Sequence, residues 1–228
     1  MPATPCRLTE IDLHGCQDIS DDDVGRLAGL PDLQRLKLTQ TPVTDAGVRR
    51  LGRQGGELEW LDLTGTKATA ASLPVAVAKL QPDGVLLLGG LPLGDGDLHH
   101  LLQKPTMRAL ALNYTQVTDR GMAAVARCEW LHFLDLSGTK LTAAGVRTLY
   151  ALKRLEYLTL TDVKLDAGVV EALKGLTWVK QITLGQADPE MAERLRQALP
   201  RCKIVSSLDN TAPADPTAGG SRPPTRRR

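Results

Sequence analysis

Aromatic residues are scarce in this chain of 228 residues, which contains three Trp, three Tyr and one Phe. Because aromatic side chains bury the largest apolar areas in ordinary globular cores, their scarcity argues against a compact enzyme and favours an aliphatic core. Long apolar runs are also missing. No stretch reaches the roughly 18 residues that a membrane-spanning helix needs, and no secretory leader is visible. We therefore expect a cytoplasmic protein without membrane association, unless a leader precedes this sequence.

Cysteines are few and widely spaced, at positions 6, 16, 128 and 202. None forms a C-x-x-C pair, and no pattern of cysteine and histidine has the spacing of a zinc site. The sequence thus gives no reason to expect a disulfide framework, and a reducing intracellular setting is the simplest interpretation. It predicts neither a metal ion nor a cofactor.

The net charge is only +2. The four Arg and two Asp of residues 207–228 account for all of it, so the rest of the chain is electrically balanced. Such a balance gives no general reason to expect nucleic-acid binding. The RPPTRRR end could contact phosphate or acidic lipid, although a disordered solubilising tail is the simpler interpretation. We assign residues 1–7 to an N-terminal extension, 8–205 to one folded domain and 206–228 to the disordered tail.

One heptapeptide occurs twice, almost unchanged. LDLTGTK at residues 61–67 returns 73 residues later as LDLSGTK at residues 134–140. That interval equals three units of 24 or 25 residues, and the whole chain divides at this period. Eight units begin at Leu8, Leu33, Leu58, Asp83, Met107, Leu131, Leu155 and Val179. A period of 20–29 residues built on L-x-x-L-x-L indicates a leucine-rich-repeat solenoid.

Each unit predicts a short strand, a turn and a short helix. The L-x-L step alternates inward and outward positions, as a strand with one buried face does. The sequences TDAG (44–47), TDRG (118–121) and TAAG (142–145) then place a capping Thr at a helix start, often with an Asp that suits the helix dipole. The predicted fold is an α/β horseshoe with a parallel concave sheet and short convex helices. Asp188-Pro189 starts a last helix, and residues 202–205 form a last strand.

The ninth position of most units holds a small polar residue, namely Cys16, Thr41, Thr66, Thr115 and Thr139. The pattern directs these side chains inward, so Cys16 is expected to be buried. A buried hydroxyl without a partner costs roughly 1–3 kcal/mol. Our hypothesis is that these hydroxyls bind loop backbone between repeats.

The pattern L-x-x-L-x-L-x-x-T-x-V-T-D-A-G-V resembles the cysteine-containing subfamily of leucine-rich repeats over about residues 8–205. The first unit (residues 8–20) is the closest match, and Cys128 and Cys202 precede units as that subfamily's cysteines do. The subfamily includes substrate-receptor arms of F-box proteins, whereas the Thr variants at Thr41 and Thr115 resemble bacterial internalin-like repeats. The resemblance implies a protein-binding surface and no enzyme activity. No F-box motif precedes the repeats.

The concave wall is formed by the outward strand positions. Three of the seven aromatic residues share its third-position column, where Trp60, Phe133 and Tyr157 stand. With Val85, Leu87, Ala109 and Ala111 they predict a contiguous, exposed apolar stripe, which is typical of an interface centre. The predicted partner-binding residues are Arg35, Lys37, Trp60, Asp62, Val85, Leu87, Ala111, Phe133, Asp135, Tyr157 and Thr159. The alternative is that the aromatic rings merely cover the sheet.

Motifs suggestive of chemistry have simpler explanations. Residues 84–97 are rich in Gly but lack the G-x-x-x-x-G-K-[ST] of a phosphate loop. Asp95 and Asp97 lack the further carboxylates of a calcium loop, so a role at a helix start is favoured. Asp12 and His14 share a strand face, but no nucleophile flanks them except Thr39. We therefore expect neither catalytic nor metal-binding residues.

Three functions fit these patterns. The first is a cytoplasmic protein-interaction scaffold that binds a protein or peptide on the concave face. The second is an adaptor arm that recruits substrates to a ubiquitin-ligase-like complex, and the third is a bacterial effector or surface binder. An adaptor needs a second docking element, which only the tail or the first strand could supply. That strand presents an unpaired sheet edge, which residues 1–7, a partner or a further domain would have to cover.

Overall fold

The computed structural model describes residues 7–53, 56–102 and 106–206, and these form one parallel sheet backed by short helices. The strands are β1 (Glu10–Asp12), β2 (Arg35–Lys37), β3 (Leu58–Asp62), β4 (Leu80–Leu87), β5 (Ala109–Ala111), β6 (Phe133–Asp135), β7 (Tyr157–Thr159), β8 (Gln181–Thr183) and β9 (Lys203–Val205). The helices are α1 (Asp21–Ala28), α2 (Asp45–Leu51), α3 (Leu73–Ala78), α4 (Asp95–Leu101), α5 (Met122–Val125), α6 (Ala143–Thr148), α7 (Ala167–Leu173) and α8 (Pro189–Ala198), with a 3₁₀ turn at Leu149–Ala151.

The sheet order is the order of the chain. Each strand pairs with the next in parallel, and equivalent repeat positions lie side by side, as Leu36 beside Leu61 and Leu61 beside Leu86. This is the predicted α/β leucine-rich-repeat solenoid, with the ninth strand at the predicted place. The tail predicted at 206–228 lies outside the described residues from position 207 onward, as do residues 1–6 of the N-terminal extension.

The core is one continuous aliphatic column. Inward strand residues such as Leu61, Leu63 and Leu134 are fully buried, and helix residues such as Val48 and Val146 close over them. No single repeat could bury this face alone, so the stacked neighbours supply the hydrophobic contact that each unit lacks. The aliphatic core expected from the scarcity of aromatic residues is therefore present.

The ninth-position hydroxyls are buried as predicted, but our hypothesis about their partners is wrong. Thr41, Thr66 and Thr115 each donate to the carbonyl oxygen three residues earlier in the same repeat, at 2.7, 2.8 and 2.6 Å. The bonds close the turn after each strand and do not join repeats. Cys16 is exposed, contrary to expectation, because among the described residues no strand pairs with β1 on its outer side.

Contact between repeats on the helix side comes from a different pair of residues. Asp21 accepts hydrogen bonds from the backbone N and the Oγ1 of Thr44 in the next repeat, at 2.9 and 2.6 Å. Asp95 holds Thr118 in the same way, at 2.8 and 2.6 Å. We call this contact the Asp–Thr clasp; it also joins Asp45 to Thr69 and Asp119 to Thr142.

The clasp explains the glycine in T-D-x-G. The predicted capping is present in α2 and α6, where Thr44 Oγ1 accepts from the N–H of Ala46 and Thr142 Oγ1 from that of Ala144. It is absent from α5, which begins after Gly121 without a side-chain cap. The carboxylate of the preceding repeat then occupies the space beside the fourth residue of the motif. A Cβ added to Gly121 would lie 2.6 Å from Asp95 Oδ1. A methyl group at Gly121 would therefore collide with the carboxylate, whereas at the equivalent position of repeat three the Oγ of Ser72 donates to Asp45 at 2.7 Å.

The electrostatic state of Asp95 suits this role. Burial raises the pKa of Asp95, but hydrogen bonds from Thr118 and from the Gly121 N–H outweigh it and leave the pKa below its ordinary value. The carboxylate is thus ionised at neutral pH. Asp97 accepts from the N–H of Gly94 at 2.8 Å and so serves the start of α4, as predicted. Asp95 is the first residue of α4, but its hydrogen bonds serve the start of the next helix, at Thr118 and Gly121.

Asp95→Ala is expected to lower the free energy of unfolding by about 1–3 kcal/mol, because it leaves the Thr118 and Gly121 donors without their acceptor. A lowered folded-state pKa stabilises the protein above the unfolded pKa, and this contribution is lost as the pH falls through the folded pKa. Urea titrations should therefore show a large difference between wild type and variant at pH 7 and a small one at about pH 3. The exposed Asp18→Ala serves as control, and a deficit independent of pH would contradict the clasp.

Gly121→Ala should also destabilise the fold, although Gly121 has an ordinary φ of −70° that alanine adopts freely. The physical reason is the collision with Asp95, so the cost should shrink when Asp95 is already alanine. A double-mutant cycle of the two substitutions measures this coupling. Additive effects would show that the carboxylate is not what requires glycine here.

Candidate functional site

The candidate site is the concave face, by which we mean the sheet face turned away from the helices. The third-position side chains form one row across it, because Trp60 pairs with Val85, Val85 with Ala109, and Ala109 with Phe133. Tyr157 continues the row beside Phe133. The predicted stripe is therefore contiguous in space.

The stripe is nevertheless not exposed as predicted. Trp60, Val85, Ala109 and Phe133 retain 6%, 1%, 1% and 8% of their surface and form a second hydrophobic cluster. Ala111, Asp62 and Thr159 are also buried, whereas Leu87 and Tyr157 are half-buried against the cluster. Strands spaced about 4.8 Å apart bring neighbouring side chains into contact, so the residues of the row cover each other. For the four buried members, the covering role left open above is the correct one.

Trp60 has an unusual environment within this cluster. Its indole Nε1 is buried without a hydrogen-bond partner among the described residues. Leaving a buried donor unpaired costs roughly 1–3 kcal/mol. The concave face therefore contains one polar group whose hydrogen-bonding capacity the fold does not use.

Charged side chains at the first strands neutralise each other. Lys37 Nζ lies 3.0 Å from Glu10 Oε1 and 3.3 Å from Asp12 Oδ2, while Arg35 lies 3.9 Å from Glu10 and 4.0 Å from Glu59. The hydrogen bond to Glu10 raises the pKa of Lys37. The predicted site residues Arg35 and Lys37 are thus engaged with neighbours, and a partner would have to compete for them.

The middle of the concave face contains a carboxylate that is held differently. Asp135 lies between Ala111 and Thr159 in the strand register. It accepts from the Ser137 N–H at 2.9 Å and from Ser137 Oγ at 2.6 Å. Burial raises the pKa of Asp135 above its ordinary value, and no described cation forms an ion pair with it. This carboxylate can accept a further donor.

The rim after the strands contributes a residue that the sequence interpretation missed. Tyr114 is 56% exposed and has a φ of +56°, in the left-handed region that bulky residues rarely adopt. Its hydroxyl donates to Asp162 Oδ2 at 2.7 Å, and this bond raises the pKa of Tyr114. A Cβ on Gly138 would lie 2.4 Å from the ring, so the ring crosses directly over the intervening repeat. The sequence did contain a signal for Tyr114: it occupies the turn position at which other repeats have a glycine, such as Gly65 and Gly138.

Other candidate groups have structural roles. Asp12 accepts from the backbone N–H of His14, so that pair does not form a relay through the imidazole ring. Burial raises the pKa of Cys128 to about 12 and that of Cys202 to about 11, which leaves both thiols protonated. Within the described residues, no group of three His, Cys, Asp or Glu could hold a metal ion, and no helix has the length and apolarity to span a membrane.

Comparison with known proteins agrees with the repeat geometry. A family model described as "Leucine Rich repeat" matches residues 103–126 and 127–149. An internalin (inlF) from Listeria monocytogenes superposes with a TM-score of 0.59 at 20% identity, covering 86% of this chain and 52% of the internalin. Human 5T4 (Wnt-activated inhibitory factor 1, trophoblast glycoprotein) gives 0.53 at 21% identity, covering 94% and 83%. No curated protein sequence matches.

These likenesses concern the fold. The chain spans about half the length of the internalin it matches, and at such identities the superposition carries no information about partners. Both structures share the repeat fold with this chain, and the family model matches its repeat sequence. The chain has the leucine-rich-repeat fold, and residues 103–149 match the leucine-rich-repeat family model.

Proposed function

We propose that this protein is an interaction scaffold that binds a protein or peptide on its concave face, centred on repeats four to seven. One observation carries the proposal: a half-open apolar floor, Leu87 and Tyr157, lies on the same face as the desolvated carboxylate of Asp135. Leucine-rich-repeat domains generally bind proteins, and this part of the concave face offers both apolar contact and a polar anchor.

The apolar part is preorganised. Val85, Ala109 and Phe133 are packed beneath and beside the two accessible side chains, so Leu87 and Tyr157 lose little freedom when a partner covers them. Rigid side chains reduce the entropic cost of association. The buried residues of the predicted stripe thus contribute to binding mainly by holding Leu87 and Tyr157, the two side chains that a partner can reach.

The polar part favours a donor from the partner. Burial without a cation destabilises the ionised form of Asp135, and a partner's N–H or ammonium group would offset that desolvation. Tyr114 borders the same face, and its side chain is 56% exposed. Both features fit a peptide segment that presents apolar side chains and at least one donor.

The finer assignments stay predictions. A cytoplasmic location is our proposal, and so is the role of adaptor within a ubiquitin-ligase-like complex or of a bacterial effector. The adaptor role requires a second docking surface besides the concave face. The scaffold role requires only the concave face.

Leu87→Glu should abolish capture of the partner, because a carboxylate would then stand on the apolar floor. Capture from lysate of the source organism, followed by mass spectrometry, compares this variant with wild type and with Ala144→Glu, which places the same carboxylate on the exposed side of α6. We expect proteins that are lost with Leu87→Glu and kept with Ala144→Glu. Identical capture by both folded variants would refute a concave binding face.

Asp135→Asn should make the protein more stable at neutral pH, since the amide keeps an oxygen for the Ser137 donors without the buried charge. The folded-state pKa of Asp135 is raised, so its contribution to stability is full below the unfolded pKa and is lost as the pH rises through the folded pKa. The gain in the melting temperature should therefore be present at pH 7 and vanish at about pH 3.5. A gain that is equal at both pH values would contradict the assigned burial.

A further inference from the structure

A second surface lies outside the concave face, on the edge where the chain enters the strands. We call it the strand-start edge; it consists of the residues just before and at the start of each strand. In the later repeats this edge carries Trp130, Lys153, Arg154, Trp178 and Lys180. None of them belongs to the concave cluster that supports the proposed function.

Two cations are held over two indole rings on this edge. The Arg154 guanidinium lies 3.7 Å from the centre of the Trp130 ring, and Lys153 Nζ lies 3.9 Å from the centre of the Trp178 ring. Trp178 is anchored, since its Nε1 donates to Leu152 O at 2.9 Å and Tyr150 meets its ring edge-on. The loop before β7 therefore presents two neighbouring cations, and each is held by an aromatic ring of a different flanking repeat.

Trp130 has no evident structural task. It is 46% exposed and is absent from both hydrophobic clusters, whereas Trp178 packs against the main core. An exposed Trp stacked with Arg is the composition of an interface hot spot. The fold keeps this apolar ring in solvent without an internal contact that accounts for it.

Charge divides the strand-start edge into two halves. Its early part carries the carboxylates Asp32, Glu57 and Glu59 and the cations Arg7, Arg35 and Lys79, of which Arg7 pairs with Asp32 and Arg35 with Glu59. Its later part carries the cations Arg108, Arg127, Lys153, Arg154, Lys180, Arg201 and Lys203 against Glu129 and Glu156. Lys180 pairs with Glu156 at 2.8 Å. Within the described residues, no carboxylate forms an ion pair with Lys153 or Arg154.

We propose that the later half of the strand-start edge binds a short acidic peptide segment of a partner protein. Carboxylates of the segment would meet Lys153 and Arg154, and an apolar side chain would pack on Trp130. Strands β5 to β9 span about 19 Å at 4.8 Å per strand, which about six extended residues cover at 3.3 Å each. The charge-balanced early half would not attract a longer polyanion, so a short peptide fits better than a nucleic-acid strand.

This inference is independent of the concave proposal, and it supplies the second docking surface that an adaptor requires. The two surfaces have separate reporters. Of the chain's three tryptophans, Trp60 lies in the concave cluster, whereas Trp130 and Trp178 lie on the strand-start edge. Their indole N–H signals therefore distinguish the surfaces in one spectrum.

The experiment titrates the full chain, labelled with ¹⁵N-tryptophan, with the peptide Glu-Leu-Glu-Asp-Leu-Glu. We expect the Trp130 and Trp178 indole signals to move and the Trp60 signal to stay. Arg154→Glu should weaken binding at least tenfold, and so should Trp130→Ala. The concave variant Leu87→Glu and the convex variant Ala144→Glu should bind as wild type does.

Three results would overturn the proposal. The first is a shift of Trp60 alone, which would assign the peptide to the concave face. The second is tighter binding of the single-stranded oligonucleotide dT6 than of the peptide at equal ionic strength. The third is a peptide affinity that is unchanged in a folded Arg154→Glu. A fourth result is self-association of the chain without any peptide binding. If Arg154→Glu abolishes that association, the edge binds a second copy of the chain and not a peptide.

Discussion

The alignment of successive helix starts depends on the Asp–Thr clasp at four of the seven junctions between the eight repeats. One carboxylate accepts a backbone N–H and a hydroxyl from the next repeat, so it aligns that repeat's helix while satisfying two donors. The same carboxylate would collide with a methyl group at the glycine of T-D-x-G. A single contact thus sets the helix start, the spacing of repeats and the composition of a four-residue motif.

The clasp is not continuous along the stack. Ala70 and Gly94 stand at the Asp and Thr positions between repeats three and four, so the contact cannot form there. At the same junction the sheet has its longest strands, β3 and β4, and an additional pairing of Leu58 with Leu80. The junction of repeats six and seven, where Ala143 and Asp166 stand at these positions, lacks the clasp without such an additional pairing.

The repeat period was sufficient to predict the fold because the core columns recur in every unit. It predicted which side chains share the concave face, and Trp60 to Tyr157 do form one row. It could not predict their burial, since that depends on how far each ring extends over its neighbour. Nor could it assign the partner of Thr139, because its own repeat and the adjacent one offer similar carbonyls. The actual acceptor is Leu136 O.

Features outside the repeat consensus were the hardest to predict and carry the functional proposals. Trp130 shares its repeat column with Trp178, and Tyr114 stands in the turn column of Gly65 and Gly138, but the period alone predicts no contact for either ring. Their significance comes from contacts across repeats, to Arg154 in one case and to Asp162 in the other. The concave face and the strand-start edge are consequently different in kind. One is an apolar floor with a half-buried carboxylate, and the other holds two neighbouring cations over aromatic rings.

The bond from Tyr114 to Asp162 has a consequence for how the stack unfolds. Repeat arrays behave approximately as one-dimensional chains in which only nearest neighbours are coupled. This bond joins repeat five to repeat seven across Gly138 of repeat six, which is a second-neighbour coupling. Repeat six cannot open alone without straining or breaking it. The bond therefore enlarges the cooperative unit to three repeats in the part of the molecule where both proposed binding surfaces lie.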